Sequence, residues 1–284
     1  MYTFPIGVML DSFRLPTDEA LDAAKALGAS GIQMYAVSGD HTPDALTAEK
    51  RRELLKKVKA RGLVFSALCG DLGKGFGNRE KNPALIETSK RILDLAQDLG
   101  TNVVTTHIGV VPSDPENERY KIMSEACFTL SQYADSMGAH FAIETGPETS
   151  ATLKRFLDQL GSTGVGVNLD PANLVMVTGD DPVGAVHNLK KYIVHTHAKD
   201  GNMLKKGDPE QIYGVTPMPE DMKHIPFFEE VPLGTGSVDF PAYLRTLEEI
   251  GYKGYLTVER EVGDDPAADI GAAVAFLKKT IKEC

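Results

Sequence analysis

The sequence predicts a single α/β domain, a closed (β/α)8 barrel, and three observations carry that prediction. Short runs rich in β-branched residues alternate with longer amphipathic stretches along the 284 residues. Eight strand candidates occur, at a chain length ordinary for one barrel. Most of the intervening helical patterns close on a glycine, with the next strand a few residues on. A glycine there takes the left-handed conformation and turns the chain back onto a parallel sheet.

The first strand candidate, IGVMLD (6–11), leads into PTDEALDAAKALG, a helix capped by Thr17 and closed at Gly28. GIQMYA (31–36) is the second strand, and LTAEKRRELLKKVKARG after it runs from Thr47 to Gly62. LVFSALC (63–69) is the third. The glycine-rich GKGFG (73–77) behind it lacks the spacing of a phosphate-binding loop and reads as a flexible loop at the barrel top. ALIETSKRILDLAQDLG then ends at Gly100. NVVTTHIG (102–109) precedes PENERYKIMSEACFTLSQYADSMG, which ends at Gly138. HFAIE (140–144) precedes ATLKRFLDQLG, which follows Thr149 and ends at Gly161. VGVNLD (165–170), YIVHTHA (192–198) and YLTVE (255–259) complete the strands. Residues 201–238 hold five prolines and little periodicity, and read as a long structureless loop or lid. That segment closes with VPLGTGSVDF, where Gly234 and Gly236 permit a tight turn before Asp239 caps DFPAYLRTLEEIG. DPAADIGAAVAFLKKTIKEC is the last helix. No G-x-G-x-x-G or G-x-x-x-x-G-K-[ST] follows a strand, which argues against a doubly wound nucleotide-binding sheet.

Hydrophobic residues make up 42% and charged residues 25% of the chain, the balance of an ordinary soluble globule. No apolar run reaches the roughly 18 residues of a membrane span. The N-terminal MYTFPIGVMLDSF has no basic region before its apolar stretch and reads as a strand, not a signal peptide. A net charge of -10 disfavours a nucleic-acid partner, because phosphates are neutralised by clustered Lys and Arg. Cys69, Cys127 and Cys284 form no Cys-x-x-Cys pair, and an odd count fits a reduced, cytoplasmic protein. Cys69 stands out as a residue at a strand end.

Chemistry in such a barrel sits at the C-terminal ends of the strands. The fifth candidate strand ends in Glu144, the sixth in Asp170, the seventh in His197 and the eighth in Glu259. These strands are consecutive, so their ends line one half of the mouth. Three carboxylates on an apolar floor repel one another, and a divalent cation removes that cost. One imidazole with three carboxylates suits Mn²⁺, Mg²⁺ or Co²⁺, with Zn²⁺ a poorer match to this donor set. His195 shares a strand face with His197 and reads as a second ligand, a supporting partner or a satisfied core histidine. His107, at the end of the fourth strand, reads as a substrate contact or a cap. Lys199 reads as a rim charge, and Asp200 as an orienter of His197 or a cap for the loop.

Glu at the fifth strand, Asp at the sixth, H-x-K-D at the seventh and Glu at the eighth, with PLGTGSVDF before the last strand, resemble the xylose-isomerase-like TIM barrel superfamily. The resemblance covers essentially the whole chain, 1–284, and is closest to the sugar isomerase/epimerase branch: ketose 3-epimerases, hydroxypyruvate isomerase and inosose dehydratases. It implies Glu144, Asp170, His197 and Glu259 as metal ligands, with Mn²⁺ the leading occupant. It implies Glu144 and Glu259 as the catalytic acid/base pair. The implied activity is isomerisation or epimerisation of a ketose or related α-hydroxy carbonyl compound through a metal-stabilised enediolate. The alternative within the branch is a dehydratase or lyase on a keto-inositol or 3-keto-glycoside. Two positions depart from the ketose 3-epimerases. Asn173 stands where they carry a substrate-contacting histidine, and Met203 where they carry an arginine. The sugar or its binding mode is therefore expected to differ. His107, Asn173, His195 and Lys199 are taken as candidate substrate-binding residues, the substrate as a small carbohydrate, and a homo-oligomer (dimer or tetramer) is implied by the resemblance. An endonuclease IV-like phosphodiesterase needs more histidines and a basic face than this chain offers. A non-catalytic sugar-binding barrel would hold no divalent metal.

Overall fold

The computed structural model describes residues 4–283; Cys284, the end of the last helical pattern, lies outside them. All eight predicted strands are present: β1 (Ile6–Met9), β2 (Gly31–Tyr35), β3 (Val64–Cys69), β4 (Val103–Thr106), β5 (His140–Glu144), β6 (Val165–Leu169), β7 (Ile193–Ala198) and, after two further strands, β10 (Leu256–Val258). They form a closed parallel barrel in the order β1-β10-β7-β6-β5-β4-β3-β2. Their side chains are almost all buried, as expected of strands covered on both faces. Helices at Thr17–Leu27, Ala48–Ala60, Asn82–Leu99, Glu118–Ser136, Ser150–Leu160, Phe240–Glu249 and Pro266–Glu283 surround it. None of the helices among the described residues is long and apolar enough to cross a membrane.

The glycine stops hold: Gly28, Gly62, Gly100, Gly138, Gly161 and Gly251 all take positive φ, between 59° and 82°. Thr47, Thr149 and Asp239 cap their helices as expected, each accepting a backbone N–H three residues on. Thr17 does not cap: it is already the first helical residue, behind Pro16, and its hydroxyl lies 3.1 Å from His41 Nε2. The fourth helix begins at Glu118, because the Asn117 side chain supplies its cap.

Three segments differ from expectation. A short helix, Pro182–Leu189, joins β6 to β7, capped by Asp181 through the N–H groups of Val183 and Gly184. The GKGFG segment is tied down. Phe76 is buried, its N–H donates to the Ile108 carbonyl at 2.8 Å, and its carbonyl accepts from Asn82. Residues 201–238 are not structureless: β8 (Asp200–Met203) pairs antiparallel with β9 (Phe228–Val231), and a short helix, Pro209–Ile212, lies between them. An antiparallel ribbon satisfies its own backbone polar groups, which a bare loop across the mouth would not.

Candidate metal centre and active-site cavity

The barrel brings Glu144, Asp170, His197 and Glu259 together. One ligand atom from each lies within 4.8 Å of every other, and all four residues are buried. His197 Nδ1 stands 3.3 Å from Asp170 Oδ2, 3.3 Å from Glu259 Oε2 and 3.6 Å from Glu144 Oε1. Its other nitrogen, Nε2, lies 2.9 Å from Oε1 of the fully buried Gln33 on β2. Nε2 also lies 3.2 Å from Asn168 Nδ2, so two side-chain amides hold that edge of the ring and Nδ1 turns to the carboxylates. The imidazole pKa is raised well above its usual value: burial opposes this, but the charges of Glu259 and Glu144 outweigh it. Three acids facing one imidazole at these distances are a donor set that fits a divalent cation.

Each of the four residues has a supporting partner. Asp170 caps the turn after β6, its Oδ1 accepting from Asn173 N–H at 2.9 Å while Oδ2 faces His197. Glu144 accepts from Asn168 Nδ2 at 3.0 Å and from Asn173 Nδ2 at 3.1 Å. Lys199, itself buried, donates to Glu259 at 3.0 Å. Burial alone would raise the Glu259 pKa, yet His197 and Lys199 beside it hold the carboxylate well below its usual range. Lys199 also contacts Glu261 and lies 3.9 Å from Glu230 on β9, tying the ribbon to the centre.

The other predicted residues fall in distinct places. His107 is one-third exposed at the cavity wall, 3.2 Å from Asp71 and 3.5 Å from Glu144. Burial would lower its pKa, but Glu144 and Asp71 raise it to about 9. Asn173 and Lys199 line the same cavity. His195 does not line it. It lies beneath the cluster, its Nδ1 2.9 Å from Asn168 Oδ1 and its Nε2 2.9 Å from Thr257 Oγ1, as a satisfied core histidine does. Asp200 makes no contact with His197. Its buried carboxylate accepts from the N–H groups of Gly201, Gly234, Gly236 and Val238 at 2.9–3.1 Å, so it folds the PLGTGSVDF turn. Gly236 is required there, since a Cβ would stand 2.3 Å from Asp200 Oδ1. Cys69 sits at the cavity wall as a free thiol whose pKa burial pushes up, and Cys127 is free and buried in the core.

The cavity above the cluster measures about 510 Å³. Tyr35, Met176, Tyr213 and Phe228 supply its apolar walls, the last two from the segment over the mouth. Gln33, Asn168, Asp71 and Tyr213 were not anticipated. A glutamine or asparagine inside a strand carries no sequence signal of its own, and Asp71 becomes notable only when His107 is placed beside it.

A (β/α)8 barrel with a three-carboxylate, one-imidazole cluster at the C-terminal ends of its strands is one whose chemistry centres on a candidate metal site. The chain belongs to the xylose isomerase-like TIM barrel family, whose model matches residues 21–280. Among characterised relatives, the L-ribulose-5-phosphate 3-epimerase UlaE of Escherichia coli is 24% identical over 276 residues, covering 92% of this chain and 88% of that protein. The rhizopine catabolism protein MocC of Rhizobium meliloti is 29% identical over 134 residues, which is 46% of this chain and 38% of that protein. The inosose dehydratase of Clostridium beijerinckii is 25% identical over 156 residues, 53% of this chain and 49% of that protein. The chain thus matches about half or less of the length of these last two. Among solved structures, a xylose isomerase domain protein from Planctomyces limnophilus superposes with a TM-score of 0.80 at 26% identity, over 99% of both chains. A xylose isomerase-like TIM barrel protein from Mycobacterium smegmatis, solved in complex with magnesium, gives 0.73 at 18% identity, over 100% of this chain and 99% of that one.

Proposed function

We propose that the protein is a divalent-metal-dependent sugar isomerase or epimerase acting on a ketose or related α-hydroxy carbonyl compound. The observation that carries this reading is the convergence of Glu144, Asp170, His197 and Glu259 on one point at the cavity floor. These four residues would hold the cation, Mn²⁺ in our reading, with Mg²⁺, Co²⁺ or Zn²⁺ as other occupants. When bound, such a cation supplies Lewis acidity that draws electron density from the substrate carbonyl and stabilises the enediolate charge.

The side chains do the rest. One of Glu144 and Glu259 takes the proton from the substrate carbon, and the other returns one. Return to the opposite face of the same carbon gives an epimer; return to the neighbouring carbon gives an isomer. Proton transfer by positioned groups of this kind contributes about 10²–10⁴-fold. Asn168 and Asn173 fix the orientation of Glu144, and Lys199 fixes Glu259. His107, with its raised pKa, presents a cationic donor to substrate oxygens. Asn173 and Lys199 meet the substrate from the same wall, whereas His195 acts from below through Asn168. Tyr213 and Phe228 keep water from the reacting carbon.

Replacing Glu259 by Gln tests the assignment. Bound metal is measured by elemental analysis, and exchange of the carbon-bound proton is followed by NMR in D₂O with ketoses, keto-inositols and 3-keto-glycosides. Loss of exchange supports the acid/base role, and loss of metal supports the ligand role. Unchanged metal together with unchanged exchange removes Glu259 from both. The similarity to an inosose dehydratase favours one second reading, in which the same carbon acid expels a β-hydroxyl. Appearance of an enone product in the same NMR assay distinguishes it.

A further inference from the structure

Arg119, at the start of the Glu118–Ser136 helix, is held by one contact and lacks another. Its Nη2 meets Glu210 in an ion pair, while its Nε is buried and has no hydrogen-bond partner. Nε and Nη2 form the edge of a guanidinium that takes two oxygens of one oxyanion side by side. Glu210 fills half of that edge with a single oxygen. Arg119 lines a second hollow, of about 630 Å³, which adjoins the cavity above the carboxylates and shares Asp71, His107 and Tyr213 with it. Two further donors face the same space. Lys74 has no hydrogen bond or ion pair among the described residues, and Asn78 spends its Oδ1 on the N–H groups of Glu80 and Lys81, which leaves its amide NH₂. The acids close by are engaged, Asp71 with His107 and the Gly73 N–H, and Glu118 with Arg79. Gly77 lets the loop lie on the arginine stem, since a Cβ there would stand 3.0 Å from Arg119 Cγ.

Glu210 belongs to the segment that crosses the mouth. The stem of that segment is fixed at Glu230, by Arg260 and Lys199, and at Phe227, whose carbonyl accepts from Leu204 and Lys205. Its tip is bonded to itself, as where Val215 N–H donates to the Glu210 carbonyl at 2.7 Å. Among the described residues, Arg119–Glu210 is the one hydrogen bond or ion pair that joins 206–226 to the barrel. We propose that Arg119, Lys74 and Asn78 form an oxyanion site, and that an anion bound there takes Arg119 from Glu210 and releases the tip that carries Tyr213. The segment is then a strap whose hold on the mouth depends on a dissolved oxyanion, whatever carbon acid the centre handles.

Sulfate is the probe, with sodium chloride at equal ionic strength as the control, on the Mn²⁺-loaded protein. Calorimetry reads binding, and hydrogen exchange with mass spectrometry reads peptides spanning 209–216. Sulfate is expected to speed exchange of those peptides about threefold beyond chloride, as loss of a partly exposed ion pair does. Glu210→Gln removes the competitor, so it is expected to show the fast exchange without sulfate and to bind sulfate about twofold to fivefold tighter. Lys74→Ala is expected to bind sulfate more weakly while the strap exchanges as in wild type. Glu220→Gln, in the same segment but paired within it to Lys223, is expected to change neither reading. A sulfate affinity that is the same in wild type, Glu210→Gln and Lys74→Ala overturns the site. Exchange no faster in sulfate than in chloride, or a Glu220→Gln variant as loose as Glu210→Gln, overturns the strap.

Discussion

Glu148 offers a direct test of how burial sets the charge state of this barrel mouth. The side chain follows β5, is buried, and has one acceptor bond, from Val111 N–H at 3.2 Å. Burial raises its pKa to about 8, with the Val111 bond offsetting only part of the effect. In the unfolded chain the same carboxyl titrates near 4.5. Between those two values the folded protein holds a proton that the unfolded chain has released. Stability from this group is therefore fully present below pH 4.5 and is lost as pH rises to about 8. Each pH unit in that window costs about 1.4 kcal/mol, so the full loss is on the order of 5 kcal/mol. In a domain of this size each kcal/mol moves Tm by about 2–4 °C, which makes the effect roughly 10–20 °C. Glu148→Gln keeps an oxygen for Val111 and removes the titration. Calorimetry across pH 5–8 should show wild type and variant nearly equal at the acid end, with the variant melting progressively higher as pH rises. Parallel Tm profiles would refute the reasoning, because they would mean that the carboxyl is solvated or paired in the folded state.

Two further perturbations follow from single contacts. Gln33→Leu removes an amide that orients His197 through Nε2 and should weaken Mn²⁺ binding about 10–100-fold in a calorimetric metal titration, the usual cost of losing a ligand's supporting partner; unchanged affinity would show that Asn168 and packing hold the ring. Asp200→Asn replaces an acceptor of four backbone N–H groups by one with half its acceptor capacity and should cost about 2–3 kcal/mol, seen as a Tm fall of about 5–10 °C.

What the sequence made legible depended on how local each signal was. The eight strands and the glycine stops were readable because β-branched runs and left-handed glycines act within a few residues. Glu144, Asp170, His197 and Glu259 were readable because a parallel barrel brings the ends of consecutive strands together whatever lies between them. The Pro182–Leu189 helix was missed although Asp181 and Pro182 form a proper cap and first turn, because eight residues including Gly184 show little periodicity. The β8–β9 ribbon was missed for the opposite reason. Its strands pair across more than twenty residues of intervening chain, and the register Asp200↔Val231 to Met203↔Phe228 has no signature in either half. Asp200 read ambiguously for the same cause: the amides it binds at Gly234, Gly236 and Val238 are distant in sequence.

The direction of the bonds around the cluster favours a cation site over a structural ion cluster. A self-contained cluster would set its acids against arginines or lysines until the charges balanced. Here three members are engaged on their outer side, while Glu259 turns the same Oε2 to both His197 and Lys199. Asp170 gives Oδ1 to the Asn173 N–H, His197 gives Nε2 to Gln33, Glu144 gives Oε2 to Asn168, and Glu259 is met by Lys199. Three of those four partners add no charge. The inward atoms, three carboxylate oxygens and Nδ1, are left to face one another within 4.8 Å in a buried setting. Such an arrangement is costly by itself, because like charges repel most strongly where water is excluded. It becomes favourable when a dication stands at the centre, and the neutral outer partners then fix the ligand atoms without competing with it for charge.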